Sequence, residues 1–237
     1  MLHINHLTIG YGGKVIANDL TAVLPSGTLT ALVGSNGCGK STLLRTLGGL
    51  LTPLSGECSP KPDAKNSALV LTDRVDAAGL RVIDVVALGR LPHTGLTGRL
   101  KADDLTAMER AMADCDILHL RDRRMSEISD GERQRTMIAR AIAQDTPIIL
   151  LDEPTAFLDF PSKVKTLQLL KDLCETGKTI LFSTHDLEIT FQLADRLWLL
   201  SAEGLTEGEP EELARNGAIA RLFPLLKFEE ETLRFRL

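Results

Sequence analysis

The densest chemistry in this chain lies in Gly34-Ser35-Asn36-Gly37-Cys38-Gly39-Lys40-Ser41-Thr42. Gly34 and Gly39 let the backbone wrap without a Cβ, so successive N–H groups can face the oxygens of a phosphate. Lys40 would then reach the outer phosphates, and the Ser41 hydroxyl would ligate Mg²⁺. Asp152 and Glu153 form a second set. Asp152 would hold Mg²⁺ opposite Ser41, and Glu153, one residue beyond, is a natural general base for an attacking water. His185 could contact a terminal phosphate through a ring N–H. Ser129-Asp130-Gly131-Glu132 reads as a capping box, with acids at the positive end of a helix.

Each of these sets needs an element to hold it. The apolar run Leu29-Thr30-Ala31-Leu32-Val33 before the glycine loop predicts a strand, and Leu43-Leu44-Arg45-Thr46-Leu47 after it a helix. Strand, loop and helix start are the context a phosphate-binding loop requires, and the helix N-terminus adds its own attraction. Pro147 to Leu151 and Thr179 to Phe182 are continuous apolar runs, as suits parallel strands buried on both faces. Ligands of open α/β sheets bind beyond the carboxyl ends of such strands, where Asp152-Glu153 and His185 stand. Residues 161–174 predict a helix, with Val164, Leu167, Leu170 and Leu173 on one side.

Upstream, residues 3–9 and 15–24 predict two antiparallel strands around the turn Gly10-Tyr11-Gly12-Gly13, on which Tyr11 reads as a half-buried aromatic. Residues 67–71 predict another strand. From 80 to 144 the chain turns helical, with Leu105, Met108, Ala111, Met112 and Cys115 at helical spacing, while 89–95 reads as a loop rather than core. A hairpin at 196–200 and 204–207 and a helix after Pro210 close the pattern.

Composition is that of an ordinary globular protein. The net charge of −5 gives no broad basic footprint, so no nucleic-acid partner is expected. The four cysteines are scattered without metal-binding spacing and read as reduced thiols. The N-terminus shows no secretion leader, and no apolar run approaches the length of a membrane span.

Taken together, the motifs resemble those of the nucleotide-binding subunit of an ATP-binding cassette (ABC) transporter. Residues 128–135 (Ile-Ser-Asp-Gly-Glu-Arg-Gln-Arg) resemble the family signature, and Leu151-Asp152-Glu153-Pro154-Thr155 its Walker B segment. Ala156-Phe157-Leu158-Asp159 resembles the aspartate loop, and Ser183-Thr184-His185-Asp186 the histidine switch. The resemblance spans essentially the whole chain. It implies a P-loop NTPase fold of α/β class: a RecA-like, mostly parallel sheet with an antiparallel β subdomain and a helical insertion. Residues 1–237 would form one domain, with 1–79 and 145–237 as the core and 80–144 as the helical signature subdomain.

The resemblance also implies a mechanism. Two copies close head to tail on two ATP molecules, with Ser129 and the Gly131 amide reaching the γ-phosphate bound by the other chain. Glu153, His185 and Lys40 are the expected catalytic groups, with Asp159 at the nucleotide. Tyr11 falls where the family stacks an aromatic on adenine. The implied cofactors are ATP and Mg²⁺. The implied partners are a second copy, transmembrane permease subunits and, indirectly, a substrate-binding protein, at the cytoplasmic face of the inner membrane. Residues 85–95 resemble a segment of importers of iron–siderophore complexes, haem and cobalamin. The alternatives are an ABC ATPase without a permease, in soluble assembly or repair, and a soluble phosphotransferase.

Three departures stand out. Asp130 and Glu132 replace glycine and glutamine of the usual signature, and we expect both to cap their helix and point away from phosphate. The family's Mg²⁺-contacting glutamine has Thr72 as its best match, with Asp73 adjacent, and the sequence leaves the choice open. Ala156 replaces a common serine. The loop itself gives the first test. Lys40→Ala is expected to abolish nucleotide binding or turnover, measured by ATP affinity and phosphate release; wild-type values for both would remove the loop from the account.

Overall fold

The computed structural model describes residues 1–72, 77–95 and 98–224, and the backbone of 227–229 and 234–236. Strands β1 (Leu2–Tyr11), β2 (Lys14–Leu24) and β3 (Leu29–Gly34) lead into helix α1 (Lys40–Leu47), followed by β4 (Ser55–Ser59) and β5 (Ser67–Val70). Helices α2 (Val82–Leu88), α3 (Ala102–Asp114) and α4 (Asp130–Ala143) come next. Then β6 (Ile148–Leu151), α5 (Phe160–Glu175), β7 (Thr179–Ser183) and α6 (Leu187–Leu193) alternate. The hairpin β8 (Arg196–Ser201) and β9 (Gly204–Gly208), helices α7 (Pro210–Arg215) and α8 (Ala218–Leu222), and a pair β10 (Lys227–Glu229) and β11 (Arg234–Arg236) end the chain.

The main sheet has the order β5-β6-β7-β3-β8-β9, parallel except for the β8–β9 edge. A second, antiparallel sheet has the order β2-β1-β4. The continuous apolar runs are explained by the two faces of the main sheet. Leu29, Ala31, Val33, Ile149, Leu151, Ile180 and Phe182 lie in one apolar cluster with helices α2 to α5. Their alternates Leu32, Ile148, Leu150 and Leu181 lie in the other, with α1 and the antiparallel sheet. Both faces are covered, so the strands lack the polar alternation of a half-exposed sheet.

Four local differences from the sequence reading have physical causes. The alternation of β1 is broken by register shifts between Ile4 and Leu7 and again around Ile9, with His6 at φ 48°. Tyr11 is the last residue of β1 and is 57 % exposed, so it is not a half-buried turn aromatic. Leu105, expected on the apolar side of its helix, is exposed, while Asp104 is buried. Within 89–95, expected as loop, Leu91–His93 is a 3₁₀ turn and Arg90 is buried. The last two share one cause, because Arg90 Nε donates to Asp104 Oδ1 at 2.9 Å and each charge accounts for the burial of the other.

The two sheets are joined by Glu207 on β9. Its carboxylate accepts from the Val23 N–H at 3.2 and 3.3 Å and from the indole Nε1 of buried Trp198 at 3.2 Å. Glu207→Ala leaves both donors without that acceptor and is expected to cost about 1–3 kcal/mol. Glu207→Gln, which keeps one acceptor oxygen, should cost less. Thermal melting checks this, and an unchanged midpoint for Glu207→Ala would contradict it.

Candidate active site

The glycine loop joins the end of β3 to the start of α1, and its glycines are required by contact as well as by conformation. A Cβ on Gly34 would lie 2.4 Å from the Leu200 carbonyl oxygen and 2.7 Å from Cys38 Sγ. Gly39, the N-cap of α1, has φ 110°, and a Cβ there would meet Ile16 Cγ2 at 2.8 Å. No side chain caps α1 and no acid lies in its first turn, which leaves that helix end open to an anion. Ser35, Asn36 and Gly37 are exposed on the loop, and Ser41 and Thr42 lie in the first turn of the helix. Cys38 packs inward against Gly34. Lys40 is buried, and its ammonium donates to the carbonyls of Gly34 (2.8 Å) and Ser35 (3.1 Å).

Two strands away, register brings the carboxylates together with a hydroxyl. Leu151 pairs with Phe182 in the β6–β7 ladder, so Asp152 comes beside Ser183. Ser183 Oγ donates to Asp152 Oδ1 at 2.6 Å and accepts from the Glu153 N–H at 2.9 Å. Glu153 has φ 49°, a left-handed conformation uncommon outside glycine, asparagine and aspartate. From that position its Oε1 lies 2.7 Å from Nε2 of His185, both side chains being partly exposed. The Thr72 hydroxyl, at the end of β5, donates to the Asp152 carbonyl at 2.9 Å. Asp73 lies outside the described residues. Ser183 is the member of this group that sequence reasoning passed over. Its signal is that an equal shift along paired strands puts it next to Asp152.

The remaining candidates gather elsewhere in the chain. Ser129 caps α4: its N–H and Oγ both donate to Glu132 Oε2 at 2.8 Å, and its Oγ accepts from the Glu132 N–H at 3.3 Å. These bonds from the Ser129 backbone and side chain hold the Glu132 carboxyl below its ordinary range, so it is charged at neutral pH. The expected helix-capping role thus fits Glu132, and Asp130 lies in the same first turn. A Cβ on Gly131 would come 3.1 Å from Leu158 Cδ2, which sets the start of α4 against the loop before Asp159. Asp159 caps α5 by accepting from the Ser162 N–H at 3.0 Å, and its hydrogen bonding to Ser162 lowers its pKa. Phe157, at φ 64°, and Phe160 flank it, about two-thirds exposed. Among the described residues, no hydrogen bond joins Ser129, Gly131 or Asp159 to the glycine loop.

Tyr11 ends β1 on the loop side of the molecule, since Ile9 and Ile16 of its hairpin lie within 4 Å of a Cβ built on Gly39. Its ring is exposed at the end of that hairpin.

Residues 17–156 match the family described as ABC transporter. The chain belongs to that family. The ferric enterobactin transport ATP-binding protein of Escherichia coli is 38% identical over 232 residues, covering 92% of this chain and 85% of that protein. The iron(3+)-hydroxamate import ATP-binding protein of Bacillus subtilis is 39% identical over 197 residues, covering 78% of this chain and 73% of its own length. Among solved structures, a chain of an inward-facing ABC transporter described as of metal-chelate type superposes with a TM-score of 0.85 at 29% identity, covering 99% of this chain and 96% of that one. This chain is therefore an ATP-binding subunit that hydrolyses ATP, and such subunits of importers work with transmembrane permease subunits.

For this ABC ATPase, the described residues include no group of three or more His, Cys, Asp or Glu side chains arranged around one point. Mg²⁺ beside a nucleotide takes one or two protein oxygens and fills its other positions with water and phosphate. A Ser41 hydroxyl and an Asp152 carboxylate already fixed by Ser183 are donors of that kind. Ser183→Ala would leave Asp152 Oδ1 and the Glu153 N–H without this partner. We expect nucleotide affinity to hold while turnover falls roughly 10²-fold, the scale of a small misplacement at a reacting centre. Wild-type turnover in steady-state phosphate release would contradict this.

Proposed function

We propose that this chain energises import of a metal chelate, of the iron–siderophore, haem or cobalamin type, through a separate permease, with two copies closing on two ATP molecules. The observation that carries the ATPase half is the junction of Asp152, Glu153, Ser183 and His185 at the edge of the sheet that bears the glycine loop. The cargo class rests on the relatives, named for ferric enterobactin, iron(3+)-hydroxamate, petrobactin and cobalamin.

In the proposed cycle, ATP phosphates settle on the loop N–H groups and the open end of α1. Lys40 exchanges its two carbonyl partners for phosphate oxygens, which costs no unpaired charge. Adenine stacks on Tyr11, a contact worth roughly 1–3 kcal/mol in base-binding proteins. Glu153 takes a proton from water as the water oxygen attacks the γ-phosphorus and the bond to the β-phosphate oxygen breaks, giving ADP and phosphate. His185 donates to the γ-phosphate, which requires its Nε2 to leave the Glu153 carboxylate that lies 2.7 Å away. Ser41 and Asp152, with Thr72 behind, would hold Mg²⁺, which neutralises phosphate charge when bound.

The second copy would supply Ser129 and the Gly131 amide to this phosphate. Phe157 and Phe160, exposed on either side of Asp159, support a contact between copies at that loop. For the permease, Leu88 and Leu91 are exposed, and a groove of about 320 Å³ is lined by Leu50, Leu69 and Met137 together with Arg140 and Gln144 of the end of α4. No helix among the described residues is long and apolar enough to cross a membrane, so attachment to the cytoplasmic face would come through that partner.

Two outcomes test the proposal. Glu153→Gln should retain ATP, lose about 10²–10⁴-fold in turnover and accumulate an ATP-bound dimer; normal turnover would remove Glu153 as the base. Affinity isolation from native membranes should bring down a polytopic membrane protein. Recovery of soluble partners alone would favour the permease-free alternative.

A further inference from the structure

The buried ion pair between Arg90 and Asp104 takes no part in nucleotide chemistry, yet it ties together the ends of three helices. Arg90 follows α2 by two residues and is only 7 % exposed, although Leu88 and Leu91 on either side of it are 45 % and 55 % exposed. Its Nε donates to Asp104 Oδ1 at 2.9 Å, and its second amino group donates to the carbonyl of Ala143, the last residue of α4, at 2.7 Å. Asp104 is itself fixed, since its other oxygen accepts from the Lys101 N–H at the start of α3 at 2.8 Å. One guanidinium donates to both a carboxylate and a helix-terminal carbonyl, and its charge suits the negative end of α4. The backbone is equally close, because a Cβ on Gly89 would lie 2.2 Å from the Arg140 carbonyl oxygen.

The last turn of α4 is thus held by the exposed corner on one side. On the other it is bonded to the sheet: Arg140 donates to the Leu69 carbonyl at 2.6 Å, and Gln144 donates to those of Ala64 and Ser67 at 2.7 and 3.1 Å. The opposite end of the same helix carries Ser129 as its cap and Gly131 in its first turn. Helix α4 is 14 residues long, about 21 Å at 1.5 Å per residue, and runs unbroken from one end to the other.

We infer that Arg90 is the positioning residue that makes the exposed corner and helix α4 one rigid unit, so that a load placed on the corner by the permease reaches the signature end of the helix. This inference rests on the permease docking proposed above. Arg90 sets how strongly the permease stimulates ATP turnover, not how well the isolated subunit folds, binds ATP or docks.

The test compares wild type with Arg90→Lys and with the double variant Arg90→Met/Asp104→Leu. Lysine can stay against Asp104 but has no fork with which to hold the Ala143 carbonyl as well, and the double variant removes both buried charges together. Each is measured for melting, for ATPase as the isolated subunit, for affinity to the permease isolated with the wild-type chain, and for ATPase with that permease in lipid nanodiscs. The expected result is an unchanged isolated rate and permease affinity, with stimulation by the permease reduced about fivefold or more, the scale of changes in coupling rather than binding. Unchanged stimulation in both variants overturns the inference. So does an equal fall in isolated and stimulated rates, which would mark Arg90 as a packing residue, or a loss of permease affinity, which would mark it as part of the docking surface. A wild-type chain that binds no permease overturns the functional proposal itself, and the two failures are therefore distinguishable.

Discussion

The nucleotide edge of this protein depends on the register between β6 and β7, because that register decides which side chains meet beyond the ends of the strands. With Leu151 opposite Phe182, the Ser183 hydroxyl falls between Asp152 and the Glu153 amide and bonds to both. A slip of one residue would turn every side chain of the strand to the other face and place Phe182 where the hydroxyl stands. The apolar clusters on the two faces of the sheet prevent that slip, since each strand residue has a buried place on one face only. Packing and site geometry are coupled here: the burial that stabilises the fold also fixes how Ser183 holds Asp152 and Glu153.

Three of the candidate site residues are partnered within the chain. Lys40 is satisfied by two loop carbonyls, His185 by Glu153 and the Ser129 hydroxyl by Glu132. Each is a bond that a phosphate or a reacting water would have to replace. Exchange of one hydrogen bond for another changes little net energy, whereas an unpaired buried group costs far more. The Ser129–Glu132 bond gives the unusual signature a distinct consequence. If Ser129 serves a phosphate as proposed, the charged Glu132 carboxylate would compete for its proton more strongly than the neutral amide oxygen of the usual glutamine.

Much of this was legible in the sequence, and the reasons are specific. Residues 147–151 and 179–182 read as buried strands because both faces are covered, and the glycine loop because its flanks were a strand and a helix. Asp152, Glu153 and His185 followed from their place at strand ends. The bland reading of Tyr11 failed because a turn aromatic beside a binding loop need not be buried. Ser183 was missed because a serine closing an apolar run carries no signal until the neighbouring strand is in register. The burial of Arg90 and Asp104 was hidden for a similar reason. Each alone reads as a surface charge, and their pairing across 14 residues shows only in the fold. Helix α6 escaped because its seven residues interleave Glu188, Thr190 and Gln192 with apolar ones and bury only Ile189 and Thr190.

The two groups of site residues within one chain, with the glycine loop and carboxylates in one and Ser129 and Gly131 in the other, lead to the central claim that hydrolysis needs two copies. The most direct measurement is ATP turnover per chain as a function of subunit concentration, at saturating ATP and Mg²⁺ and without permease. The account predicts that turnover per chain rises with concentration and then levels off as paired chains predominate. A rate per chain that stays constant down to concentrations at which sedimentation shows only monomers would contradict it.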